Sequence, residues 1–252
     1  MRLSHRRNKN RIFVVTVVLV IICFVGGVVL SIKANAPNKR VSKTKHTDKP
    51  AKQVSSFDKL QYSTVDPSSP WIIVNKPHPL NPIDFNPSDL VSFSGHRISA
   101  KSATQLQQMI DDAKSQGINL RVISGFRSYS YQSNLYNSYV SSDGQAQADT
   151  YSARPGHSEH QTGLAVDIGG VNGCDLQQCF ATKPEGQWLA ANAHKYGFLI
   201  RYTESNQSIT GYQAEPWHLR YIGIDLVDEM ARQKITTLEE FFGISGGTNY
   251  TN

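Results

Sequence analysis

The sequence predicts an α+β domain, a small and mainly antiparallel sheet flanked by helices, carried behind an N-terminal membrane anchor and tether. Three observations predict it. From Trp71 onward, stretches of strand period and helix period alternate irregularly, without the regular strand–helix repeat of a parallel sheet. The excess of basic over acidic charge is confined to the first 52 residues, and a 21-residue uncharged run lies within that arm.

The 252 residues carry a net charge of +6, yet 12 of the 26 Lys and Arg fall in residues 1–52 against one acid, Asp48. The remainder is mildly acidic, which excludes a phosphate-backbone binder, so no nucleic acid is expected as partner. Arg2, Arg6, Arg7, Lys9 and Arg11 form a basic segment at 1–11, ahead of the apolar run Ile12–Ile32. As a helix that run spans roughly 30 Å, the thickness of a bilayer's hydrocarbon core. Basic residues ahead of a span favour a cytoplasmic N-terminus, which places everything after Lys33 outside the cell. A cleaved signal peptide, suggested by Ala34 and Ala36, is the competing reading and would give a secreted form; its apolar region is usually only about 7–15 residues long. Residues 33–65 are rich in Lys, Ser, Thr, Asn and Pro and read as a disordered extracellular tether, leaving 66–252 as the folded domain.

Within the domain, Ala103, Leu106, Met109, Ile110 and Ala113 recur at helical spacing and predict a helix over 99–117, stopped by Gly117. Residues 118–123 read as a buried strand that ends in Ser124-Gly125-Phe126-Arg127-Ser128, where Gly125 marks a sharp turn. Further helices are expected at 131–140 and 184–196, the second with Pro184 at its start and Gly197 beyond its end. Strands are expected at 163–168, 198–202 and 217–221. In the last, Trp217, Leu219 and Tyr221 alternate with His218 and Arg220. Helical pattern returns at 225–232 and 237–242.

Three cysteines are present. Cys23 reads as membrane filler, while Cys174 and Cys179 in an oxidising setting pair most simply into a small loop, two free thiols being the alternative. A zinc site on those two lacks a second Cys pair.

Most of the eight histidines lack company, but two clusters join imidazole to carboxylate: Ser158-Glu159-His160-Gln161-Thr162-Gly163-Leu164-Ala165-Val166-Asp167 and Glu215-Pro216-Trp217-His218. A catalytic zinc takes three protein ligands and keeps one position open for water, so His160, Asp167 and His218 would fill its shell without closing it. Glu215 remains as general base for attack on a peptide carbonyl. Ala165 shares a strand face with Asp167 and is expected to leave room beside the metal. Glu215 and His218 are three apart, which on a straight strand sets them on opposite faces. Glu215 is therefore expected on the turn entering the strand, bent back by Pro216. His157 competes with His160 as a ligand, although Pro155-Gly156 before it favours a turn.

The ordered pattern Ser-x-His-x-x-Gly-x-Ala-x-Asp followed by Glu-Pro-Trp-His resembles the VanY-type D-alanyl-D-alanine carboxypeptidases, of the peptidase family that also holds L,D-carboxypeptidases. The resemblance extends to Trp71–Leu80, Ser124–Ser128 and Gly197–Tyr202. It implies a Hedgehog/D,D-peptidase-like fold, zinc as cofactor on His160, Asp167 and His218, and Glu215 as catalytic base. It implies Arg127 as the group that binds substrate and stabilises charge on the attacked carbonyl, with Gln132 and Ser158 at substrate contacts. By residue type alone, Gln132 reads as a helix-surface amide and Ser158 as a turn hydroxyl. The implied activity is removal of terminal D-alanine from peptidoglycan stem peptides, at the outer face of a bacterial cell membrane, with no obligate protein partner. L,D-cleavage of tetrapeptides and a non-catalytic, zinc-stabilised wall-binding domain are the alternatives.

Overall fold

The computed structural model describes residues 57–251. The basic segment, the anchor at 12–32 and most of the tether lie outside the described residues; among those described, no helix is long and apolar enough to cross a membrane. The tether expected to reach residue 65 gives way earlier. Phe57 stacks on Trp71 at 5.5 Å between ring centroids and meets Phe241 edge-on, and Tyr62 packs edge-on against Trp71. Those aromatic contacts tie the segment to the domain despite its polar composition.

The elements run in chain order β1 (Leu90–Phe93), β2 (His96–Ser99), α1 (Ala100–Ser115), β3 (Arg121–Ser124), α2 (Tyr129–Asp143), α3 (Gln145–Ala148), β4 (Ala165–Gly169), α4 (Pro184–Asn192), β5 (Phe198–Tyr202), α5 (Gln207–Thr210), β6 (Glu215–Tyr221), α6 (Ile224–Gln233) and α7 (Leu238–Phe242). β1 and β2 form a hairpin closed by Ser94-Gly95, both at positive φ, as a two-residue turn requires. β3, β4, β6 and β5 form one sheet in that order, antiparallel throughout. The expected α+β class and antiparallel sheet are found.

Local chemistry sets the helix ends. Ser99 caps α1 by accepting from the Lys101 N–H, and Ser128 caps α2 by accepting from the Tyr131 N–H, so α2 starts two residues before its predicted position. The helix expected to run to Tyr196 instead ends at Asn192 and continues as a 3-10 turn over Ala193–Tyr196, stopped by left-handed Gly197.

One sheet face is apolar. Val122, Val166, Ile168, Trp217 and Leu219 pack with Leu106 and Met109 of α1 and Leu189 of α4 in the main core. A second cluster joins Trp71 and Ile73 to Leu226 and Met230 of α6 and Phe241 of α7. Strand alternation then hands the opposite sheet face to Ala165, Asp167, His218 and Arg220.

Candidate metal centre

Antiparallel register sets Asp167 of β4 directly opposite His218 of β6, and Ala165 opposite Arg220. Arg220, the cross-strand neighbour of Ala165, is fully buried and donates to Glu159 Oε1 at 2.9 Å.

His160 arrives from a 3-10 turn, Glu159–Thr162, that ends at Gly163 with φ +71°. A Cβ at Gly163 would lie 2.8 Å from a Leu90 methyl and 3.0 Å from the Ser99 nitrogen, so only glycine fits. The turn aims His160 at Asp167: its Nε2 lies 3.3 Å from Asp167 Oδ2, and its ring meets that of His218 edge-on at 4.9 Å. His218 Nδ1 lies 3.4 Å from Asp167 Oδ1. One donor atom from each of the three buried residues falls within 4.8 Å of the others. Two distant stretches of the chain thus converge as the sequence predicts.

Each imidazole is oriented by a hydrogen bond at its other nitrogen. His160 Nδ1 donates to the Gly125 carbonyl at 2.7 Å, which leaves Nε2 with its lone pair toward Asp167. His218 Nε2 donates to Glu159 Oε2 at 3.1 Å, which leaves Nδ1 facing the same space. His160 Nε2 and Asp167 Oδ1 are buried without a hydrogen-bond partner. Such orphans cost about 1–3 kcal/mol each. A divalent cation seated between the donors would satisfy both, and two imidazole nitrogens with one carboxylate oxygen suit zinc with a position left open.

Glu215 is not on the entering turn. It is the first residue of β6 and pairs with Tyr202, while Leu219 pairs with Ile200, so β6 fits two more residues than β5 between those pairs. This bulge holds Pro216, whose missing N–H is tolerated there. The added residues bring Glu215 round to the His218 face, with Oε2 3.7 Å from His218 Nδ1. Burial, reinforced by the Asp167 charge, pushes the Glu215 carboxyl up to about 7 against the pull of His218 and Arg127. Burial would also raise Asp167, but His160, His218 and Arg127 hold it well below the usual range. Burial, with Arg127 adding to it, pushes His160 down to about 4, so it stays a neutral donor.

Arg127 follows Gly125 out of β3. Its guanidinium lies 3.5 Å from Asp167 Oδ2 and donates to Gln132 Oε1 at 3.2 Å. Gln132 is not a surface amide: it is buried, and its Nε2 donates to the Ala153 carbonyl at 2.8 Å. Ser158 makes no capping hydrogen bond, and it lines the same cavity. His157 is turned away, its Nδ1 against the Asn75 carbonyl and its ring edge-on to Tyr250. The cavity measures about 190 Å³ and is walled by Tyr139, Tyr151, Tyr202, Tyr212, Leu176 and Trp217 around the triad. It falls below the roughly 300–1,000 Å³ of pockets for drug-sized ligands, a size suited to the end of a chain. Cys174 and Cys179 are joined as a disulfide, and Leu176 between them lines the cavity.

Sequence reasoning missed the support beneath the triad. Glu159 accepts from Arg201 Nε, Arg220 Nη1 and His218 Nε2, and Arg201 also binds Glu239 through two nitrogens. A signal was present: Arg220 shares a strand face with His218, and a buried face tolerates arginine only with a carboxylate partner.

The sequence model of the VanY family, described as D-alanyl-D-alanine carboxypeptidase, matches residues 95–224, a stretch that holds His160, Asp167, Glu215 and His218. The chain belongs to the VanY family. A Bacillus subtilis relative named as the putative carboxypeptidase YodJ is 38% identical over 221 residues, covering 83% of this chain and 79% of its own length. Among solved structures, the LdcB LD-carboxypeptidase is 39% identical with a TM-score of 0.65, over 71% of this chain and 88% of the other. A vancomycin-resistance D,D-pentapeptidase VanY, solved in complex with Zn(II), is 32% identical with a TM-score of 0.59, over 68% of this chain and 97% of the other. The D,D-peptidase-like fold that the motifs imply is therefore the fold of this VanY chain.

Proposed function

We propose that the protein is a zinc-dependent carboxypeptidase that removes the C-terminal D-alanine from peptidoglycan stem peptides ending in D-alanyl-D-alanine. The observation that carries this reading is the convergence of three buried donors, His160 Nε2, Asp167 and His218 Nδ1, beside the buried carboxyl group of Glu215. Zinc held by those residues supplies a Lewis acid that activates water and polarises a carbonyl near neutral pH. Glu215, with Oε2 3.7 Å from His218 Nδ1, takes the proton of the attacking water and returns it to the leaving amine. Arg127, fixed against Gln132, offers its positive charge to the oxygen of the attacked carbonyl. Gln132 and Ser158 contact the peptide. The amide bond breaks, the amine leaves with one proton, and no covalent intermediate forms with the chain.

The 39% identity to LdcB favours a second reading, L,D-cleavage of tetrapeptides. The two differ in the residue on the amino side of the broken bond. The setting we propose is the outer face of a bacterial membrane, with 12–32 as anchor; the Cys174–Cys179 disulfide supports an oxidising compartment.

The test is digestion of defined tetra- and pentapeptides by zinc-loaded protein, with products weighed by mass spectrometry. Loss of one D-alanine from the pentapeptide is the expected result. Cleavage of tetrapeptides alone would establish the L,D reading, and cleavage of neither would leave a wall-binding domain. Glu215→Gln should keep zinc and fold while kcat falls by about 10²–10⁴-fold; a fully active variant refutes the assignment of the base.

A further inference from the structure

The loop closed by Cys174 and Cys179 stands outside the catalytic set, yet it touches the site twice. Leu176 at its tip lines the cavity and is 44% exposed, an apolar side chain offered to whatever enters. Gln178 on its return limb donates from Nε2 to the carbonyl of Ala214, the residue immediately before Glu215.

The loop's shape is imposed. Cys174 and Leu176 are both in the left-handed region, at φ 67° and 55°, which side-chain-bearing residues adopt only where their surroundings over-determine it. Three ties do so. The disulfide closes the ring, Asp175 accepts from Arg121 Nη2 at 2.6 Å and from the Gly170 N–H at 3.0 Å, and Phe180 just beyond is buried in the main core.

From this geometry we propose that the Cys174–Cys179 loop is a built part of the substrate site: Leu176 is an apolar wall that contacts the bound peptide, and Gln178 is a positioning residue that braces the backbone at Glu215. The proposal rests on the peptidase reading of the same pocket. Leu176 acts on binding, so its loss moves KM. Gln178 acts through the base, so its loss moves kcat. Opening the disulfide releases both.

Steady-state kinetics of the zinc-loaded full chain on the peptide it cleaves tests this. Leu176→Ala should raise KM by about tenfold with kcat within twofold, the scale of a few methylenes in a pocket. Gln178→Ala should lower kcat at nearly constant KM, and Gln178→Asn or Glu should not restore it fully. The paired Cys174→Ser/Cys179→Ser variant, or mild reduction of the native protein, should show both effects together. Wild-type KM and kcat in all of these, accompanied only by a lower melting temperature, would overturn the proposal and leave the loop a structural staple. Should the native protein cleave no peptide, the peptidase reading fails. The wall is then judged by calorimetry with the same peptides, where equal affinity of Leu176→Ala and native protein sinks it.

Discussion

Two buried polar clusters lie side by side on one face of the sheet, and they are finished differently. In the first, Glu159 and Glu239 face Arg201 and Arg220. Glu159 Oε1 accepts from both arginines, Glu239 from Arg201 and from Asn75 Nδ2, and the spare Arg220 donors reach the carbonyls of Pro70 and Ile72. In the second, His160, Asp167, His218 and Arg127 stand as close together, yet His160 Nε2, Asp167 Oδ1 and Arg127 Nε lack partners. Folding alone explains the satisfied cluster. The unsatisfied one holds donors that the proposed function assigns to a cation and a substrate, and Glu159, bonded to His218, joins the two.

The largest separation should come from Arg201→Ala, which takes from buried Glu239 its arginine partner and from buried Glu159 one of two. It should lower the unfolding free energy of the metal-free protein by about 3–5 kcal/mol in urea titrations. Arg127→Ala should do the reverse, lowering kcat by about 10²–10³-fold while stability changes little, because its work is directed at charge formed during reaction. Equal stability losses in both variants would erase the distinction between the clusters.

The pH response sharpens it further. Burial would raise Glu239, but Arg201 and Asn75 hold its carboxyl below the ordinary 4.5. A carboxyl depressed in the folded state adds stability that is present above its unfolded value and is lost as pH falls through the folded one. Metal-free native protein should therefore lose stability as the pH drops below about 4, and Glu239→Gln should flatten that fall. At the small end, Asn75→Ala removes the hydrogen bonds to Glu239, to the Ser245 carbonyl and from the His78 N–H, and should cost about 1–3 kcal/mol.

Much of the unsatisfied cluster was legible in the sequence, because the ordered motifs that carry the family resemblance, Ser158 to Asp167 and Glu215 to His218, hold three of its members. Position along a strand was harder to read. The bulge that brings Glu215 round to His218 depends on how β6 pairs with β5, a relation between segments that spacing within one segment does not carry. The satisfied cluster was passed over for a similar reason. Glu159, Arg201 and Glu239 look like ordinary surface charges until the fold buries them with Arg220, whose place on the His218 face was the one signal. The β1–β2 hairpin also escaped, because each strand is four residues long and its signal rests on the Ser94-Gly95 turn. Helix ends were recovered to within a few residues where a serine cap marks them, as at Ser99 and Ser128, and less well at Asn192, where no cap does.

Calorimetric zinc titration of the metal-free native chain, run beside His160→Ala, tests the central distinction most directly. One tightly bound zinc per native chain, with binding lost in the variant, is the predicted result. Equal zinc binding by both proteins, or no tight binding by the native chain, would contradict it.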